Sequence, residues 1–171
     1  HKLNDYIKAS GDLAVKLYKE DIEAALRTKD FGGFELLSLS DYTGQSTATV
    51  GILDVFYESK GLISHDEFKN FAGEAVPLFK AKRIFKNTDT LEAELDLYDF
   101  GEKKINNPVY NLTVQNGKQV FYKTSTTESK VSIPLNSITK STMLSVILEV
   151  NGYKNTWRIF VFAENKIENN V

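Results

Sequence analysis

From Ser10 onward the apolar positions recur with a helical period. Leu13, Leu17, Ile22, Ala25 and Leu26 share one stripe, while Lys16, Lys19, Glu20 and Glu23 occupy the other face. That pattern predicts a helix with one face built for burial, capped at its start by Ser10 and ended by Phe31-Gly32-Gly33. Phe34 to Leu39 alternates poorly, with Leu36, Leu37 and Leu39 all apolar, so it reads as a short strand covered on both faces. A helix feeding a doubly covered strand is one αβ unit of a parallel sheet. The polar loop Ser40 to Ser46 follows, then an apolar run from Val50 to Tyr57 closed by Lys60-Gly61. Ser64-His65-Asp66-Glu67 has capping-box spacing and predicts a short helix through Phe71, which places His65 as a first-turn surface residue.

From about Val76 the period changes to two. Leu91, Ala93, Leu95 and Leu97 face one way and Glu92, Glu94, Asp96 and Tyr98 the other, which marks a strand with one wet face. Tyr110, Leu112 and Val114 continue the pattern, followed by Val120 and Tyr122, then Val131, Ile133 and Leu135. Leu144, Val146, Leu148 and Val150 come next, and Tyr153 to Phe162 closes the series. Asn116-Gly117 predicts a type I′ hairpin, and Asn151-Gly152 a second turn. With a leading strand from Pro77 to Arg83, seven short strands and regular turn signals predict an immunoglobulin-like two-sheet sandwich. The fold class expected is therefore mainly β with an α/β N-terminal part. The chain divides into 1–75, 76–163 and a polar tail at 164–171.

Composition narrows the function. The 171 residues are 42% hydrophobic and 26% charged, an ordinary globular balance. A net charge of -2 without blocks of like charge argues against nucleic acid or an acidic membrane as partner. There is no cysteine, so disulfides and thiolate chemistry are excluded. Two separated histidines, His1 and His65, make neither a metal site nor a histidine triad, and no cofactor is expected. The chain opens His1-Lys2-Leu3-Asn4 and holds a single methionine, Met143, as a mature fragment or a cloned piece would.

Phe31-Gly32-Gly33-Phe34-Glu35-Leu36-Leu37-Ser38-Leu39-Ser40-Asp41-Tyr42-Thr43-Gly44-Gln45-Ser46-Thr47-Ala48 resembles the last barrel strand and following loop of bacterial glycoside hydrolase family 2 proteins, in their β-galactosidase-like and sugar-binding-domain branches. Leu53 to Gly61 is similar to the segment that closes that barrel, and Asn155 to Phe162 to the final strand of the sandwich after it. The resemblance implies that 1–75 is the last αβ unit of a (β/α)8 barrel plus a connecting helix, since a whole barrel needs about 250 residues. It also implies a modular glycosidase in the periplasm or outside the cell. Retaining hydrolysis needs two carboxyl groups about 5 to 5.5 Å apart, and in this family both come from earlier strands. Neither motif occurs here, so no catalytic residue is assigned to the chain. The partners implied are the parent's carbohydrate substrate and the rest of the barrel or a second copy. Either of those last two, or the sandwich itself, would cover Leu13, Leu17, Ile22 and the edges of the 34–39 strand.

Among the acids, Glu92, Glu94 and Asp96 suit a solvated strand face. Asp54 and Glu58 read as exposed helix neighbours if their run is helical, and Glu35 lies at the wrong end of its strand. Asp41, Tyr42 and Gln45 follow that strand's carboxyl end, where barrel sites lie. They can line the substrate rim, or simply stabilise a loop. The alternative from another class is a stand-alone carbohydrate- or protein-binding sandwich, with Tyr98, Phe121 or Phe160 as ring platforms and Trp157 as core. The triplet Asn111-Leu112-Thr113 matches a glycosylation acceptor, but an inward Leu112 argues against its use.

Overall fold

The computed structural model describes residues 2–37, 39–44 and 49–164. It is mainly β, with two helices and two sheets among those residues, and it divides into two compact units, His1–Gly73 and Glu74–Val171.

In the first unit, α1 (Leu3–Arg27) begins seven residues before the expected cap, and Ser10 lies inside it. Residues 3–9 hold nothing that breaks a helix, and a Lys8–Asp12 pair at 2.9 Å spans the junction. Gly11 is the point of closest approach to Leu62, whose side chain occupies the space a Cβ would need. The helix ends before the glycines. Thr28 caps it, its hydroxyl donating to Ala24 O at 2.8 Å, and Asp30 turns the chain at φ 61.

The expected stripe is buried only in part. Ile22 and Leu26 are buried, whereas Leu13 and Leu17 are more than half exposed. Glu23, expected on the wet face, is fully buried between Lys19 at 3.2 Å and Arg27 at 3.3 Å, cations that offset its desolvation.

The expected strand over 34–39 does not form. Residues 31–36 take no regular structure, and Phe34 and Leu37 are exposed. A strand needs a neighbour for its backbone donors and acceptors, and among the described residues of this run only Leu39 meets one, its carbonyl accepting from Leu53 N. Val50 to Tyr57 is not helical either. The second helix, α2 (His65–Ala72), forms as expected. Ser64 Oγ accepts from Glu67 N at 3.2 Å, and Glu67 Oε2 accepts from Ser64 N at 3.0 Å. His65 lies exposed in the first turn.

The second unit holds eight strands among the described residues, not seven. The expected leading strand, Pro77 to Arg83, is β1 (Ala75–Lys80), and a short strand that was not expected, β2 (Ile84–Lys86), follows it. Between them the chain changes sheets. The remaining strands are β3 (Thr90–Asp99), β4 (Tyr110–Asn116), β5 (Gln119–Thr126), β6 (Lys130–Pro134), β7 (Thr142–Val150) and β8 (Tyr153–Phe162). One sheet has the order β1-β3-β6 and the other β2-β8-β7-β4-β5. β2 pairs parallel with β8, and the other pairs are antiparallel.

Alternation places Leu91, Ala93 and Leu95 of β3, and Leu144, Val146 and Leu148 of β7, in one shared core. Trp157 lies in that core, its ring 5.3 Å from that of Phe79. Buried Asn155 ties the sheets together, donating to Pro77 O at 3.0 Å. The two hairpins differ. Asn151 and Gly152 both have positive φ, 50 and 88, the type I′ pattern. At the other turn Asn116 still pairs with Gln119, so the loop residues are Gly117 and Lys118. Positive φ at Gly117 alone fits type II′ rather than the expected I′.

Candidate functional site

Residues 39–44 and 49–60 of the first unit hold Asp41 and Tyr42, two of the three residues that sequence patterning places at a rim. Two isolated bridges organise them: Ser40 with Leu53 in parallel, and Leu53 with Ser59 antiparallel. Leu53 N donates to Leu39 O at 2.9 Å and Asp41 N to Leu53 O at 3.0 Å. Gly51 is pressed against the backbone of Ser40 and Asp41 so closely that any side chain would collide with it.

Asp41 fastens the neck of the loop that follows. Its Oδ1 accepts from Lys60 Nζ at 2.7 Å and from Gly51 N at 2.9 Å. Lys60 also donates to Gly51 O at 2.9 Å and Thr49 O at 3.2 Å. The Lys60 ammonium, helped by the Gly51 amide and opposed by partial desolvation, holds the Asp41 carboxyl below its usual range. Asp41 thus takes part in closing the loop. Tyr42 is 63% exposed, and its ring lies against Gly44, where a side chain would strike it. Gln45 lies outside the described residues.

One element of the site was missed by sequence reasoning. Asp54 to Glu58 is a closed turn rather than a helical run. Asp54 N donates to Glu58 O at 2.9 Å and Tyr57 N to Asp54 O at 3.1 Å. Asp54 Oδ1 accepts from Phe56 N at 2.8 Å and Glu58 N at 2.9 Å, an Asx-type arrangement. The turn displays Phe56 and Tyr57, 80% and 70% exposed, and holds Tyr57 at φ 64. The signal available in the sequence was Asp54, two residues before an aromatic pair inside an otherwise apolar run.

The other acids stay apart from this cluster. Glu35 is exposed on irregular chain. On the wet face of β3, Glu94 meets Lys80 at 3.4 Å and Glu92 accepts from Ser132 Oγ at 2.7 Å. A shallow open groove of about 520 Å³ runs there, lined by Lys80, Lys82, Glu92, Glu94 and Lys130. Asp99 closes the 100–105 loop, accepting from Gly101 N and Ile105 N at 2.8 Å each, and those amides lower its pKa. No cluster of three or more metal-ligating side chains exists among the described residues, and no helix there is long and apolar enough to cross a membrane.

The class defined by these observations is a mainly β chain, with a two-sheet unit after a unit of two helices and bridged loops. Residues 89–163, the span of β3 to β8 with its flanks, match the model of a domain of unknown function, DUF8488. No curated protein matches the chain.

Proposed function

We propose that the chain is the non-catalytic C-terminal portion of a glycosidase similar to glycoside hydrolase family 2. In this reading 1–75 is the last αβ unit of a barrel with its connecting helix. Residues 76–163 are an immunoglobulin-like sandwich that buttresses the barrel and shapes the rim of its site. The substrate is a carbohydrate of the parent enzyme, met in the periplasm or outside the cell.

The observation that carries the reading is the state of residues 31–57. Two short segments run parallel, bridged at Ser40 and Leu53, and among the described residues the chain at 31–36 takes no regular structure and Leu37 is 94% exposed. That is the condition of a parallel strand whose neighbours belong to other sequence. The sandwich assignment is supported by the change of sheet between β1 and β2 and by β2 running parallel to the last strand. The strand order, with β4, β7 and β8 adjacent in one sheet and β3 beside β6 in the other, supports it too. Acids held by structural partners, Asp41 and Asp99 among them, support the assignment of hydrolysis to carboxylates elsewhere.

The reading frame upstream of His1 tests the proposal. It is expected to encode the earlier βα units and two barrel-mouth carboxylates. A frame that closes just before His1, or opens into an unrelated domain, overturns it. The stand-alone binding module draws support from one feature. Ile84, Phe160 and Met143 are paired in a single row across three strands of the large sheet, and all three are exposed.

A further inference from the structure

We infer that an outward stripe of α1, made of Leu3, Tyr6, Ile7, Leu13 and Leu17, is a self-association surface that pairs antiparallel with the same helix of a second copy of the chain. All five side chains are more than half exposed. At 3.6 residues per turn, Leu3, Ser10 and Leu17 stand within about 20° of one line along the helix, with Tyr6, Ile7 and Leu13 on either side of it. The residues that pack within the unit point away from this line. Gly11 meets Leu62, Tyr18 donates to Val50 O at 3.2 Å, and Ile22 and Leu26 are buried. Two helices can therefore meet along the stripe without either copy unpacking. In the barrel reading Ile22 and Leu26 lie on the sheet and the stripe still faces outward, so the inference stands apart from that reading.

The helix itself fits a second copy as occupant. Leu3, Ser10 and Leu17 form one column and Tyr6 and Leu13 the next, seven residues apart within each, the spacing by which helices pair along a seam. Set antiparallel about a two-fold axis, the columns interleave. Tyr6 lies beside Leu17 of the second copy and Ser10 beside its Leu13, and the same contacts recur on the other side of the axis. The ends then match in charge. Lys2, at the start of the stripe, comes level with Asp21 of the second copy, just past its far end, and both positions are exposed. The start of α1 has no side-chain cap, so that carboxylate also approaches the amides that a first turn leaves without intrahelical partners. A parallel pair would instead set Lys2 against Lys2 and Asp21 against Asp21.

The area suffices. Five large side chains on each copy offer on the order of 1,000 Å² of removable surface over the pair, the size that a specific contact needs. Single exposed apolar residues call for no partner, but a contiguous stripe on one helix does. A partner of other sequence would have to supply both an apolar stripe about 21 Å long and charges in reversed order. The chain already carries both.

Sedimentation equilibrium of the full 171-residue chain tests this. A reversible equilibrium between monomer and dimer is expected, with a dissociation constant in the micromolar range. Leu13→Glu, at an exposed position, is expected to raise that constant about a hundredfold, since a two-fold contact counts each substitution twice. Its helical circular dichroism signal is expected to stay unchanged. Asp21→Lys is expected to raise the constant about tenfold, and Lys2→Glu added to it to restore the original value. Orientation is read with cysteine, which the chain lacks. A mixture of Tyr6→Cys and Leu17→Cys chains is expected to join through a short bis-maleimide. Neither variant joins to itself, because identical positions lie about 16 Å apart along the antiparallel seam. A monomer at every concentration, a constant unmoved by Leu13→Glu or by Asp21→Lys, or joining of Tyr6→Cys to itself would each overturn the inference. Association lost in Phe160→Ser but kept in Leu13→Glu would overturn it too, and would place the contact on the large sheet.

Discussion

At the scale of single residues, Asp41 and Lys60 do more than their exposure suggests. One carboxylate oxygen and one ammonium join residues 41, 49, 51 and 60, so the loop between them is closed by charge-assisted bonds. The Asp41 pKa lies below its ordinary 3.8, so folding favours the ionised form. The stability it contributes is complete above the ordinary value and is lost as pH falls through the lower folded value. Lys60→Met is expected to return the Asp41 pKa toward 3.8 and to speed amide exchange at Gly51, both measurable by nuclear magnetic resonance. An unchanged Asp41 titration would assign the shift to the Gly51 amide instead. Asp41 as the residue after an apolar run, with a turn glycine three positions on, was legible in the sequence. Lys60 was not. It stands 19 positions away, and no local period links the two.

At the scale of elements, local rules succeeded where an element completes itself. The capping box satisfies its own donors within four residues, so Ser64 and Glu67 could be read directly. Ser64→Ala is expected to lower stability by about 1 kcal/mol, read as a shift in the urea midpoint at constant slope. A cost near zero would mean that packing of Phe71, not the cap, holds α2. The β3 alternation was equally legible, because one face is wet and the other buried along Leu91 to Leu95. Local rules failed where an element depends on a neighbour. The 34–39 run has strand composition, but among its described residues only Leu39 meets a neighbouring segment, at Leu53. Pro77 to Arg83 reads as one strand, yet β1 ends at Lys80 and the chain enters the other sheet at Ile84. Of the helix stripe, Ile22 and Leu26 are buried while Leu13 and Leu17 are not, because the segments packed against a helix, and not its period, decide where along it side chains are covered.

At the scale of the whole molecule, the two units differ in self-sufficiency. The core of the second unit, from Phe79 to Val161, is made of that unit's residues. Residues 74–164 expressed alone are therefore expected to fold cooperatively, giving a β-type circular dichroism spectrum and a single sharp thermal transition. A molten, gradual transition would show that the first unit is required to complete the core. The first unit leaves Leu3, Tyr6, Ile7, Leu13 and Leu17 of α1 exposed, along with the aromatics of its loops. That is more apolar surface in one region than scattered exposure explains.

What the amino-acid order determined by itself was whatever closes over short distances: the alternation that builds the sheets, the capping box, the Asn151-Gly152 turn and the polar character of the Asp41 loop. These follow from backbone geometry and from hydrogen bonds among near neighbours. Only the tertiary structure decided the sheet change after β1, the ion-pair burial of Glu23, the joining of Asp41 to Lys60 and the exposure of Tyr57 in a left-handed turn. Each of these depends on which distant segment arrives alongside, and the free energy of such encounters is written in no local pattern.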